Sequence, residues 1–159
     1  MSLSFHFRSV LLTFGMLIQC FAFAQNRDIS YLSSGGKLNP LQANMDIRHY
    51  TISLDVDIVS QRISGSTAVD IILTGKADTL LFDLVHLLEV SKISVNNKAV
   101  KFEHKNDKIY ITVAGGFQAG KQLVKVDYGG EPPVAVRPPW YGGFTWTKDR
   151  SGNPWVAIN

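Results

Sequence analysis

Apolar and polar residues alternate strictly between positions 49 and 58, and this alternation predicts a β-strand. Successive side chains of a strand point to opposite faces, so one face should be buried and the other solvated. A helix would spread the same apolar residues around its circumference. The predicted strand has apolar residues Tyr50, Ile52, Leu54, Val56 and Ile58, and polar residues His49, Thr51, Ser53, Asp55 and Asp57.

The same pattern recurs along the chain, with turn residues between the runs. After a turn at 60–62, alternation resumes from Ile63 to Leu73, which predicts a hairpin. Gly65 inside this second run indicates a bulge or a close approach of two backbones. Further runs lie at 79–84, 89–95, 99–104, 108–113 and 122–128, with asparagine-containing turns at 96–98 and 105–107. About seven or eight short strands without a convincing helix predict an all-β class, an antiparallel or mixed sheet sandwich.

The pattern breaks after Glu131, where two proline pairs flank a short segment. An aromatic cluster follows, with only brief alternation, and we predict an extended flap there. Aromatic side chains dominate the energetics of interfaces, so we interpret the cluster as a packing surface for another domain. Ordinary core and a sugar-stacking platform are the alternatives. The predicted domain-interface residues are Trp140, Tyr141, Phe144, Trp146 and Trp155.

Residues 1–24 have the pattern of a secretory signal peptide. Arg8 precedes an apolar stretch, which ends in the small-x-small sequence Ala22-Phe23-Ala24. We therefore expect an exported protein, periplasmic or secreted, with residues 25–44 as a leader before the β domain. An uncleaved anchor and lipidation at Cys20 are alternatives that we do not favour, so no membrane anchoring is expected. Cys20 is the single cysteine, so cleavage after Ala24 leaves a chain without disulfides.

Charge and motifs exclude several classes of function. The formal net charge is only +3 and basic residues do not cluster, so a nucleic-acid partner is not expected. His49, His86 and His104 do not have a zinc-binding spacing, and no nucleophile elbow or phosphate loop occurs. Asp55 and Asp57 could act in acid–base chemistry or bind calcium, but they are more simply the polar half of an amphipathic strand. We predict no catalytic, cofactor-binding or metal-binding residue in this chain.

An ordered series of motifs resembles the opening of the M1 family of zinc aminopeptidases, which includes aminopeptidase N and leukotriene A4 hydrolase. The series begins with MDIRHYTISLDVD at 45–57 and continues with Ile63-Ser64-Gly65 and LLFDL at 80–84. It ends with GGFTW at 142–146 and NPWVA at 153–157. The resemblance implies a saddle-like N-terminal β domain over 45–159. In this family that domain packs against a thermolysin-like domain and helps to wall the substrate cavity.

Two motifs of the family are absent, the G-x-M-E-N peptide-binding strand and the H-E-x-x-H zinc motif with its downstream glutamate. The resemblance therefore implies a domain truncated at its flap, inactive and without zinc by itself. The full-length enzyme would supply a catalytic domain as partner, bind zinc and remove N-terminal residues from peptides. Two alternatives remain: a stand-alone exported β-sandwich that binds carbohydrate or protein through the 140–155 cluster, and a truncated gene product without function.

Overall fold

Ten β-strands and their turns make up residues 38–138 and 142–158, which the computed structural model describes. These two ranges contain no helix, and therefore no helix long and apolar enough to cross a membrane. The predicted signal peptide with Cys20, most of the leader, Trp140 and Tyr141 lie outside the described residues. The strands are β1 Met45–Asp57, β2 Arg62–Leu73, β3 Ala77–Asp83, β4 Leu88–Val95, β5 Lys98–Ala99, β6 Lys101–Lys105, β7 Lys108–Phe117, β8 Gly120–Gly130, β9 Phe144–Lys148 and β10 Pro154–Ile158.

The strands form two main antiparallel sheets and a two-stranded ribbon. The larger sheet has five strands in the order β1-β2-β8-β4-β5, and the smaller has three in the order β3-β7-β6. Strands β9 and β10 form the ribbon. Both predicted asparagine turns are confirmed, since Asn96-Asn97 and Asn106-Asp107 each have two successive positive φ angles. Such turns match the right-handed twist of a hairpin, and they connect β4 to β5 and β6 to β7.

The main core lies between the two sheets, so the prediction of an all-β sandwich is confirmed. The five-stranded sheet contributes one face of β2, β4 and β8, which we call its inner face. The smaller sheet contributes β3 and β7, and its edge strand β6 packs near β4. The fully buried side chains are Ile71, Leu73, Leu80, Leu81, Ile93, Ile109, Ile111 and Val124.

Two irregularities in strand pairing explain departures from strict alternation. The β1–β2 register shifts between Ile47 and His49, and the β4–β8 register shifts between Val90 and Lys92. An extra residue in one strand shifts the alternation, so that the core-facing positions change from odd-numbered to even-numbered residues or the reverse. At the second shift, the Ser91 hydroxyl donates to the backbone oxygen of Asp127 at 3.2 Å. Ile93 therefore returns to the core three positions after Val90.

The prediction of a buried apolar face is wrong for the centre of β1. Tyr50, Ile52 and Leu54 remain 52%, 61% and 39% exposed. Tyr50 pairs with Val69 and Ile52 pairs with Thr67, so these side chains share the inner face with the core. The smaller sheet, however, packs on the β2, β4 and β8 side of that face; Met45 and Ile47 at the start of β1 still contact the core, but the centre of β1 is left uncovered. We call Tyr50, Ile52 and Leu54 the β1 stripe.

Gly65 allows β1 and β2 to approach closely, as the sequence suggested. It pairs with Leu54 at φ +151°, and a Cβ atom there would collide with the backbone oxygen of Ser53. We expect Gly65→Ala to lower the free energy of unfolding by about 1–3 kcal/mol because strand pairing must yield. Denaturant unfolding measures this loss. The control is Gly75→Ala, where the nearest atom would lie 3.7 Å away. Equal stability of the two variants would contradict the proposed close approach.

Candidate domain interface

The β9–β10 ribbon holds three of the five predicted interface residues, and a turn at 149–153 shapes it. Oδ1 of Asp149 accepts hydrogen bonds from the backbone nitrogens of Ser151 and Asn153, each at 2.8 Å. Oδ2 accepts from Nδ2 of Asn153 at 3.0 Å. The Asn153 side-chain bond, followed by the backbone bonds, lowers the pKa of Asp149 below its ordinary value. The carboxylate therefore holds the two strands of the ribbon in register.

One face of the ribbon packs onto the five-stranded sheet. Phe144 is only 9% exposed and forms a second, smaller core with Ile63 of β2 and Leu88 of β4. Trp146 stacks on Phe144 with ring centroids 5.1 Å apart and is partly buried. Val156, which pairs with Trp146, packs against the same core. Phe144 and Trp146 therefore attach the ribbon to the sheet.

The opposite face of the ribbon carries Trp155. Its side chain is 52% exposed, and its strand partner is Thr147. Since residues alternate between faces along β10, Trp155 points away from the Val156 side. The structure thus separates Trp155 from Phe144 and Trp146, while Trp140 and Tyr141 lie outside the described residues. A contact of this cluster with another domain stays a prediction.

The sequence analysis missed the apolar segment that runs beside the ribbon. Val134 forms a parallel bridge with Phe144. Phe144 N donates to Pro133 O at 2.8 Å, and Ala135 N donates to Phe144 O at 2.9 Å. This pairing leaves Val134 and Val136 55% and 56% exposed. The alternation of valines at 134 and 136 was the available signal, but the flanking prolines concealed it.

Two of the three histidines among the described residues, His86 and His104, have structural partners. Nε2 of His104 lies 2.9 Å from the backbone oxygen of Leu84, so this nitrogen must carry a proton to donate there. Nδ1 of His86 lies 2.7 Å from Oδ1 of Asp107, which also accepts the His86 backbone N–H at 2.7 Å. These contacts fix the 84–87 loop, whose Leu84 and Val85 pack against the smaller core. His49 lies on the exposed strand β1.

The described residues contain no group of three or more His, Cys, Asp or Glu side chains able to hold a metal. Of the two aspartates singled out in β1, Asp55 and Asp57, the second has a clear structural role. Oδ1 of Asp57 accepts the backbone N–H groups of Val59 and Ser60, both at 3.0 Å, and so closes the β1–β2 turn. Hydrogen bonding from the Ser60 side chain and then its backbone lowers the pKa of Asp57. Asp57 therefore shapes a turn.

A surface groove opens between β1 and the smaller sheet; we call it the side groove. Its volume is about 830 Å³. Val69 and Val126 of the inner face lie on one side, and Leu81 and Phe82 of β3 lie on the other. Tyr50 borders it, as does Tyr128, whose hydroxyl lies 3.0 Å from Oγ1 of Thr67. The lining is mainly apolar and contains no histidine among the described residues.

The described fold is similar to solved structures of M1 zinc metallopeptidases and of a leukotriene A4 hydrolase. A Deinococcus radiodurans M1 metallopeptidase mutant bound to a Tyr-Ser-Ala substrate matches with a TM-score of 0.50 and 18% identity, over 70% of this chain and 28% of that chain. A two-domain M1 metallopeptidase mutant bound to L-tryptophan matches with a TM-score of 0.51 and 18% identity, over the same shares. Native leukotriene A4 hydrolase from Saccharomyces cerevisiae gives 0.55 and 14%, over 79% of this chain and 21% of that chain.

These similarities confirm the resemblance at the level of the fold. Comparison with family models gives no match, and comparison with curated protein sequences gives no significant match. The chain spans only 21% to 28% of the lengths of the three solved proteins. Similar strands are therefore found as one part of much longer zinc peptidase and hydrolase chains.

Substitution of two aromatic residues distinguishes the two faces of the ribbon. We expect Phe144→Ala to destabilise the chain by about 3 kcal/mol because a buried aromatic ring is removed from the smaller core. Trp155→Ala should change stability by no more than about 1 kcal/mol because its ring is half exposed. Chemical unfolding followed by circular dichroism measures both effects. A larger loss for Trp155→Ala than for Phe144→Ala would show that the assigned faces are reversed.

The contact between Asp107 and the 84–87 loop predicts acid sensitivity. Partial burial raises the pKa of Asp107, but hydrogen bonds from His86 and the charges of His86 and Lys108 outweigh it and bring the pKa below 3.8. A carboxyl group with a lowered pKa in the folded state stabilises that state above its unfolded-state pKa. The contribution should therefore be lost as pH falls below about 3.8 through the folded-state pKa.

Asp107→Asn tests this linkage while keeping a residue that tolerates the positive φ of 58° at this turn. The variant should be less stable than the unmodified chain at neutral pH, and the difference should shrink in acid. Urea unfolding at a series of pH values measures it. Asp55→Asn on the exposed strand β1 serves as the control. A constant difference between Asp107→Asn and the unmodified chain across the acid range would contradict the assignment.

Proposed function

We propose that this chain is the non-catalytic N-terminal β domain of an exported zinc metalloaminopeptidase of the M1 type. The observation that carries the proposal is the fold match, which covers 79% of this chain but only 21% of the yeast leukotriene A4 hydrolase chain. The ordered motifs from His49-Tyr50 to the 153–157 segment support the same conclusion from the sequence. Export is proposed from the signal pattern of residues 1–24.

In this proposal, the chemistry belongs to another domain of the same polypeptide. That domain would supply the zinc ligands and the general base, and zinc bound there would supply the Lewis-acid chemistry that peptide-bond hydrolysis needs. The Deinococcus protein is described with a Tyr-Ser-Ala substrate, which agrees with peptides as the substrate class.

The ribbon is the proposed contact with the catalytic domain. Its outer face exposes Trp155, and Val134 and Val136 of the adjacent segment are more than half exposed. Val134 shares the face of its bridge partner Phe144, so Trp155 is the residue that marks the outer face. Trp155 is also one of the residue types that contribute most to interface energy. The catalytic domain would therefore cover the side of the ribbon that faces away from the sheet.

The structure does not favour a carbohydrate-binding module. A platform for sugar rings needs several aromatic side chains exposed on one surface. Phe144 is buried in the smaller core, and Trp155 lies on the other face of the ribbon. The described part of the cluster therefore presents only one exposed aromatic ring.

Two measurements test the proposed function. The first is the intact mass of the protein isolated from its native source, with its N-terminal residue determined. A mass several-fold above that of this chain, starting at Gln25, is the expected result. A mass that matches residues 25–159 would overturn the proposal, because the domain would then act alone.

The second measurement uses the purified chain of 159 residues. We expect no bound zinc by elemental analysis and no release of an N-terminal residue from an aminoacyl-p-nitroanilide or a tripeptide. Stoichiometric zinc together with peptidase activity would contradict a non-catalytic role.

A further inference from the structure

Strand β1 forms a long, open edge of the larger sheet. It is 13 residues long and pairs only with β2, so its outer backbone groups pair with no other described strand. The β1 stripe lies along this edge, and Tyr50 and Ile52 are more than half exposed. An edge of this kind can accept a further strand, and native proteins normally protect such edges.

The other three edges of the two main sheets carry protection that β1 lacks. Strand β5 is only two residues long and contains Lys98, and β6 has exposed lysines at both ends, Lys101 and Lys105. Strand β3 has seven residues, and the turn before β1 is tied to its end by Gln42, which donates to Asp83 at 3.0 Å. The sequence of β1 contains no lysine and no proline. Since short edges and edge lysines oppose the addition of a strand, β1 is the edge that remains available.

A pairing irregularity limits the open edge to the central part of β1. The β1–β2 register shifts between Ile47 and His49, and a bulge of this kind bends the strand and interrupts regular pairing. Nη1 of Arg48 donates to Oδ2 of Asp46 at 2.9 Å, so these two charges are paired within the strand. The regular part of the edge therefore begins at His49.

Two ionisable side chains on the outer face of this regular part have no partner. His49 and Asp55 make no hydrogen bond or ion pair with any of the described residues. The carboxylate of Asp57 is already used to close the β1–β2 turn. An imidazole can carry a positive charge and a carboxylate carries a negative one, so the two unpartnered groups are complementary. They lie three residues before and three residues after Ile52.

We propose that a second copy of this chain pairs with the β1 edge, antiparallel and about a two-fold axis at Ile52, so that the two larger sheets join. A two-fold axis makes the interface self-complementary, and Ile52 then lies opposite its own counterpart. Tyr50 of each copy lies opposite Leu54 of the other. His49 lies opposite Asp55 at both ends of the paired segment. Apolar side chains thus meet apolar ones and opposite charges meet, which stabilises cross-strand pairs.

The neighbouring registers match less well. An axis at Thr51 would place His49 opposite Ser53. An axis at Ser53 would place His49 opposite Asp57, which already closes the turn. The axis at Ile52 is therefore the one of these three that gives His49 an unpartnered carboxylate.

The packing of the two sheets leaves room for this association. Since the centre of β1 is uncovered, the smaller sheet of each copy lies to the side of the joint, and neither main core has to change. Main-chain hydrogen bonds along an added strand supply affinity, and the facing side chains supply specificity. The inference concerns the β domain itself and does not depend on the proposed enzyme.

Replacement of Ile52 tests the proposed dimer. Sedimentation equilibrium of the purified chain over about a hundredfold range of concentration should show a reversible monomer–dimer equilibrium. Ile52→Lys should raise the dissociation constant at least about tenfold, because two ammonium groups would meet at the axis. Ile52 is 61% exposed, so the variant should keep the circular dichroism spectrum of the folded chain. A monomer at every concentration, or an unchanged dissociation constant for Ile52→Lys, would overturn the proposal.

Trp155→Ala is the matched control. Trp155 is also a large apolar residue with a half-exposed side chain, but it lies on the ribbon and not on β1. Its replacement should leave the dissociation constant unchanged. Loss of the dimer in Trp155→Ala would show that the ribbon joins the two copies, and the proposed β1 interface would then be wrong.

A symmetric disulfide tests the register without introducing a charge. Cys20→Ser removes the only native cysteine, and Ile52→Cys places one thiol of each copy at the axis. Paired residues of antiparallel strands have Cα atoms about 4.5–5.5 Å apart, within the range of about 4.4–6.8 Å that a disulfide spans. Mild oxidation should therefore link two copies at least about tenfold faster than in Val59→Cys. Val59 is 85% exposed in the β1–β2 turn, beyond the paired segment, and equal rates for the two variants would contradict the proposal.

Discussion

The burial of one face of the five-stranded sheet against the three-stranded sheet is the interaction on which the rest of the structure depends. With the single cysteine in the predicted signal peptide, a mature chain would have no disulfide to stabilise it. The described residues bury no polar or charged residue in the core, so the core is stabilised by apolar packing alone. The second core under the ribbon is smaller and contains only three buried residues, Ile63, Leu88 and Phe144.

The unequal width of the two sheets is responsible for most of the surface features of the domain. Three strands cannot cover five, so the inner face remains open beyond the smaller sheet. The ribbon covers one end of this face through Phe144, and the β1 stripe remains exposed on the other side. Both surfaces are thus consequences of one mismatch in strand number.

Much of the fold could be predicted from the sequence because local chemistry determined it. Alternation located the long strands, and asparagine pairs located the tight turns of β4–β5 and β6–β7. The exposure of Ile52 could not be predicted, since alternation shows that a strand has an apolar face but not what covers that face. The sequence also could not predict that Phe144 and Trp155 lie on opposite faces of the ribbon, because this depends on how β9 pairs with β10. The structural roles of His86 and His104 could not be predicted either, because their partners Asp107 and Leu84 lie about twenty residues away in the sequence.

The order of strands in the larger sheet has a consequence for how the chain reaches its native state. β2 lies between β1, which precedes it directly, and β8, which joins it from more than forty residues further along the sequence. The β1–β2 hairpin can form as soon as it is synthesised, but one edge of β2 has no hydrogen-bonding partner until β8 has emerged. Non-local pairing of this kind slows folding, because a long loop must close before the contact is made. The hairpin therefore exposes an unpaired edge and apolar side chains while the rest of the sheet is being made. A chaperone that binds extended apolar segments would act on this part of the protein first.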